Sequence, residues 1–137
     1  MKKKGDSPIL LVPFIAILII VLYLMAARVD GAELQTVPED AIKMKFTCYC
    51  PESCPGRITA SGDEVREGII AASSEHLFDY CEVYLQDGTL LGLYQCLDTG
   101  GNPGIQNGHV IDVWAPHMAK AKQLMRVTGG TCYVVWH

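Results

Sequence analysis

The chain has 137 residues, half of them hydrophobic and 19% charged, with six Cys, four His and a formal charge of −4. That length holds one domain of ordinary size, and the composition excludes a chain disordered throughout. Residues 1–31 carry Lys2, Lys3, Lys4 and Arg28 against Asp6 and Asp30, a net +2 that leaves −6 for the rest, so the phosphate backbone of nucleic acid is excluded as a main partner.

Residues 1–8 form a basic N-terminus. Ile9 to Ala27 then runs for 19 residues without a charge. As a helix rising about 1.5 Å per residue, this run nearly spans the roughly 30 Å hydrocarbon layer of a bilayer. Pro13 lies one turn in, where a membrane helix tolerates it. The three lysines in front predict a single span with the N-terminus in the cytoplasm and the C-terminal domain outside. A cleaved signal peptide is the rival, yet the run exceeds the usual apolar core of such peptides and offers poor small-x-small cleavage sites. Residues 28–41 are polar, acidic and broken by Gly31 and Pro38, and read as a short tether.

From residue 42 to 137 the pattern changes to short apolar segments separated by turn signals. Ile42–Tyr49 alternates as a strand does, with Ile42, Met44 and Phe46 on one face and Lys43, Lys45 and Thr47 on the other. Gly68–Ala72 predicts a buried strand. Cys81–Leu85 and Leu90–Leu97 flank Asp87-Gly88 as a hairpin would. Val110–Trp114 and Thr131–Trp136 complete six strands. Pro116 to Val127 predicts one helix, with Met118, Ala121, Leu124 and Met125 at helical spacing and Gly129-Gly130 as its stop. Six short strands and one helix predict a mainly β fold, a small barrel whose closure removes exposed edges.

All six cysteines, Cys48, Cys50, Cys54, Cys81, Cys96 and Cys132, follow the tether. An even count in a small exported domain predicts a disulfide framework, with fifteen possible connectivities. A four-thiolate zinc site and partly free thiols are the alternatives, though the spacing lacks the paired CxxC halves of a zinc ribbon. Nothing local marks a nucleophilic Cys partnered by His76, His109 or His117.

Three segments differ from ordinary loop filler: Thr59-Ala60-Ser61-Gly62, Asp98-Thr99-Gly100-Gly101 and Ile111-Asp112-Val113-Trp114. The last places a lone carboxylate inside an apolar strand, which requires either hydrogen bonds or a function. Burial there raises the carboxyl's pKa toward what a general acid needs. The structural alternatives are that Asp98 caps its own turn, that Asp112 bonds neighbouring backbone amides, and that Thr59–Gly62 is a polar turn.

The ordered set TASG, DTGG and IDVW, followed by a helix and a TCYVVW strand, resembles the 3D domain, a family named for three aspartates. The resemblance covers roughly Lys45 to Trp136. It implies the six-stranded double-psi β-barrel that this family shares with the membrane-bound lytic transglycosylase A type and, more distantly, with rare lipoprotein A and expansin-like domains. It further implies a membrane-anchored enzyme acting on the glycan strands of peptidoglycan, a lytic transglycosylase needing neither metal nor cofactor. By the same resemblance Asp112 is the catalytic acid/base and Asp98 its neighbour. Thr59, Ser61, Gly62, Thr99, Gly100 and Gly101 then border the substrate groove. Tyr49, Tyr84, Tyr94 and Trp114 offer faces for sugar rings, with core packing the alternative for each. The sequence departs from the family pattern at Ser73, which stands where the first of the three aspartates is expected. A longer loop around Asn102-Pro103-Gly104 and the Cys48–Cys54 cluster are further departures. The competing expectations are a non-catalytic carbohydrate-binding barrel and a disulfide-stapled accessory subunit of an envelope complex.

Overall fold

Alternation along residues 42–49 has a direct structural result: Met44 and Phe46 are buried, while Lys43 and Lys45 face out. The computed structural model describes residues 17–21 and 35–137. Ile17–Val21 is helical. The rest of the expected anchor at 9–27, the basic residues 1–8 and the tether up to residue 34 lie outside the described residues. No helix among the described residues is long and apolar enough to cross a membrane.

The compact unit spans Gln35–His137. Its strands are β1 (Ile42–Tyr49), β2 (Ile69–Ala72), β3 (Tyr80–Tyr84), β4 (Leu90–Thr99), β5 (Val110–Trp114) and β6 (Thr131–Trp136). Two helices join them, α1 (Pro103–Gln106) and α2 (Met118–Thr128), with a single 3₁₀ turn at Ser74–His76. The strands close into a barrel in the order β1-β5-β2-β4-β3-β6. Two pairings are parallel, β1 with β5 and β2 with β4, and the other four are antiparallel. The predicted small mainly-β barrel is therefore observed, and all six strands lie within two residues of their expected bounds.

Phe46, Ile70, Val83, Ile111, Val113 and Val134 fill the interior. Helix α2 covers β1 with Ala121 and Leu124. It begins two residues later than expected because His117, not Pro116, caps it: the His117 Nδ1 accepts from the Lys120 amide at 3.1 Å. Gly129 ends it in the left-handed conformation, its amide donating to the Met125 carbonyl. The loop 102–104 nucleates α1, since Asn102 caps Gly104 N–H and Pro103 occupies the first turn. The domain also reaches back beyond residue 42. The Gln35 and Thr36 backbones pack so closely on Gly88 that a Cβ there would lie 2.5 Å from Gln35.

The cysteines correct an expectation. All six are free thiols. Cys50, Cys81, Cys96 and Cys132 are fully buried side chains of the core, where they act as small hydrophobes in place of bridges. Burial pushes Cys81 and Cys132 up to about 12 and Cys96 up to about 11, so these thiols stay protonated at neutral pH. Among the described residues no group of three or more His, Cys, Asp or Glu could hold a metal ion.

Candidate active site

The site is built on one row of residues crossing four adjacent strands. Thr47 on β1 pairs with Asp112 on β5, Asp112 with Ala71 on β2, and Ala71 with Asp98 on β4. Residues paired in register share a face, so both carboxylates stand on the same surface, separated by the Ala71 methyl. The placement of Asp98 depends on a β-bulge. Ile70 pairs with Cys96 but Ala71 pairs with Asp98, so Leu97 is the extra residue. Without it Ala71 would face Leu97, and Asp98 would move off the row.

A cleft of about 440 Å³ opens over this row. Ala71 and Asp112 line it together with Cys48, Tyr49, Asp98 and Ile105. Thr99, Gly100 and Gly101 also line it, as expected. Gly100 is required by helix α1: a Cβ there would collide with the Ile105 side chain. Thr59, Ser61 and Gly62 do not line the cleft. They form a self-contained turn in which Thr59 and Ser61 share a hydroxyl contact of 2.9 Å and Ser61 donates to Asp63 at 2.6 Å. The turn is fixed to β4 through Ser61 N–H to the Leu97 carbonyl. Its contribution to the site is indirect, through the Ala60 amide.

The two carboxylates differ in their surroundings. Asp98 is fully engaged: its Oδ1 accepts the Ala60 and Thr99 amides, each at 2.9 Å, and its Oδ2 accepts the Tyr49 hydroxyl at 3.4 Å. Asp112 accepts one side-chain bond, from the Thr47 hydroxyl at 2.8 Å. Burial raises its pKa, the Thr47 bond opposes that shift, and the charge of Asp98 adds to it. Tyr49 is likewise held protonated by burial and by both carboxylates. Burial, with Asp112 and Cys50 beside it, pushes Cys48 up to about 12, which removes it as a thiolate nucleophile.

No match to this sequence is found among protein-family models or curated proteins.

The remaining candidates lie elsewhere. Ser73 is buried at 4% exposure, donates to Glu75 at 3.0 Å and is not on the cleft wall. The Tyr84 hydroxyl bonds Glu82, and Tyr94 packs on the core. Each singled-out histidine has another post: His76 stacks on Trp136 at 3.9 Å, His117 caps α2, and the His109 carbonyl accepts from Lys45. Thr47, Cys48 and the Ala60 amide escape a reading of sequence alone. Thr47 carries a trace of its role, as the outward polar residue of an alternating strand.

The chemistry open to this arrangement is that of one acid. Asp98 and Asp112 sit two strand spacings apart, roughly 9.5 Å between Cα atoms, on either side of Ala71. Asp98 also has its oxygens occupied. That leaves Asp112, its pKa raised by burial and its carboxyl on the cleft wall, to give and take a proton.

Proposed function

We propose that this domain cleaves peptidoglycan glycan strands as a lytic transglycosylase, with Asp112 serving as acid and then base. The reading rests on one observation: Asp112 lies in the cleft with its pKa raised by burial, beside a second carboxylate that already accepts three hydrogen bonds. Protonated Asp112 gives its proton to the oxygen bridging N-acetylmuramic acid and N-acetylglucosamine as the bond to the muramic anomeric carbon breaks. The resulting carboxylate takes the proton of the muramic 6-hydroxyl, whose oxygen bonds to that carbon. The products are a 1,6-anhydro end and a free sugar hydroxyl, and no water enters. Burial and then the charge of Asp98 raise the Asp112 pKa, and Thr47 holds the carboxyl in place.

The ring of strands, with two parallel pairs on either side of the antiparallel β2/β5 contact, supports the double-psi form of barrel. The charge-free run 9–27 behind three lysines supports a membrane anchor with the domain outside the cytoplasm. Digestion in ¹⁸O-labelled water tests the chemistry: transglycosylation leaves the new end unlabelled, and hydrolysis labels it. A second reading, a barrel that binds glycan without cutting it, is favoured by Ser73, which stands where the resembled family has the first of its aspartates. Sedimentation with insoluble peptidoglycan and no soluble product would select that reading.

A further inference from the structure

Beside the cleft lies a second depression of about 500 Å³, lined by Pro51, Pro55, Pro116, Val65, Arg57 and Trp114, among others. We infer that this depression holds the peptide borne by the muramic acid residue under attack, with Arg57 pairing a peptide carboxylate and Trp114 packing on its apolar side chains. The inference rests on the reading of the cleft as a peptidoglycan site.

Its position follows from β5. Asp112 and Trp114 are two residues apart on one strand, so they share a face and stand roughly 7 Å apart along it. One loop makes the wall between the two spaces: Ser53 and Cys54 face the cleft, while Pro51 and Pro55 face the second depression. That wall is built in advance. The Ser53 hydroxyl donates to the Cys50 carbonyl and accepts the Cys50 amide, each at 3.1 Å, and the Cys54 amide bonds the same carbonyl. The Glu52 carboxylate ties the loop to the first residue of α2 through the Met118 amide. A rigid wall lowers the ordering cost of binding.

The chemistry of the lining selects the ligand. Among the described residues every ion pair involves a histidine, and neither Arg57 nor Glu64, which also lines the depression, takes part in one. The glycan has no charge of its own to pair with these: its acetamido sugars are neutral, and the lactyl carboxyl is consumed in the amide to the peptide. The charged part of peptidoglycan is the peptide, with free carboxylates and the amine of its diamino acid. That peptide leaves the muramic ring two bonds from the anomeric carbon, so it emerges next to the acid.

The test uses the full chain and a synthetic stem tetrapeptide, L-alanyl-γ-D-glutamyl-L-lysyl-D-alanine, with glycan strands either carrying or stripped of their peptides. The tetrapeptide should change the fluorescence of Trp114, an effect absent in Trp114→Phe. Arg57→Ala should weaken its binding about tenfold or more, the loss of one charge-assisted hydrogen bond. The kcat/KM preference for peptide-bearing over stripped strands should fall by the same factor, through KM. Cleavage with no such preference, and no tetrapeptide binding, would overturn the subsite while leaving the proposed function intact. Tetrapeptide binding that depends on Arg57, in a protein that cuts neither strand, would uphold the subsite and sink the enzymatic reading.

Discussion

Asp112 and Asp98 are in register with the same residue, Ala71, from its two sides. This shared neighbour sets the division of labour between them. It keeps the carboxylates on one face, with Asp98 close enough to raise the pKa of Asp112 by its charge.

Asp112→Asn should fold and lose activity, and its stability relative to wild type should improve with pH. Burial raises the folded-state pKa of Asp112 above its unfolded value. The stability contributed by the neutral carboxyl is present below the unfolded pKa and is lost as pH rises through the folded one. Asparagine is neutral throughout. Thermal midpoints of both proteins between pH 3 and pH 8 should therefore diverge in favour of the variant on going up. A midpoint difference independent of pH would show that Asp112 is not desolvated.

The rate of strand cleavage should fall as pH rises through the pKa of Asp112, because the proton to be donated is lost. Asp98→Asn removes the like charge but keeps an oxygen for the Ala60 and Thr99 amides. The alkaline limb of the pH–rate profile should then move to lower pH. Movement the other way, or none, would remove Asp98 from its assigned role.

Thr47→Val preserves shape and deletes the bond to Asp112. That bond lowers the Asp112 pKa, so its loss should move the alkaline limb to higher pH. The freed carboxyl should also cost about tenfold or more in kcat through misorientation. The stability cost should be about 1 kcal/mol, as for an ordinary hydrogen bond. Circular dichroism melts alongside the pH–rate profile separate the two effects.

The thiols make a separate prediction. With all six cysteines free and four of them in the core, reductant should leave the thermal midpoint unchanged. Cys132→Ser, which buries a hydroxyl in a core position, should cost about 1–3 kcal/mol, and Cys132→Ala should be better tolerated in polarity but open a small void. A fall of several degrees on adding reductant would reveal a bridge.

The strands were legible because their signals are local: the alternation of 42–49, the Asp87-Gly88 turn and the glycine pair after α2 each act within a few residues. Asp112 was legible for a related reason, as a charge that an apolar strand has to accommodate. What escaped depends on pairing between distant segments. Thr47 reaches Asp112 through a parallel register spanning 65 residues, and Asp98 reaches the row through a bulge at Leu97 that no composition marks. The even number of cysteines in a small domain fits a staple framework, whereas Cys81, Cys96 and Cys132 take the inward side of their strands and pack as core. The TASG turn stands out in the sequence for its side chains, whereas the structure uses its Ala60 amide.

The central claim, that Asp112 alone performs the proton transfers, is tested most directly by digesting purified peptidoglycan with wild type and Asp112→Asn and resolving the muropeptides by mass. Wild type should release 1,6-anhydro-muropeptides, and the folded variant should release none. Equal release by the two proteins would contradict the account, as would products from wild type that all carry reducing ends.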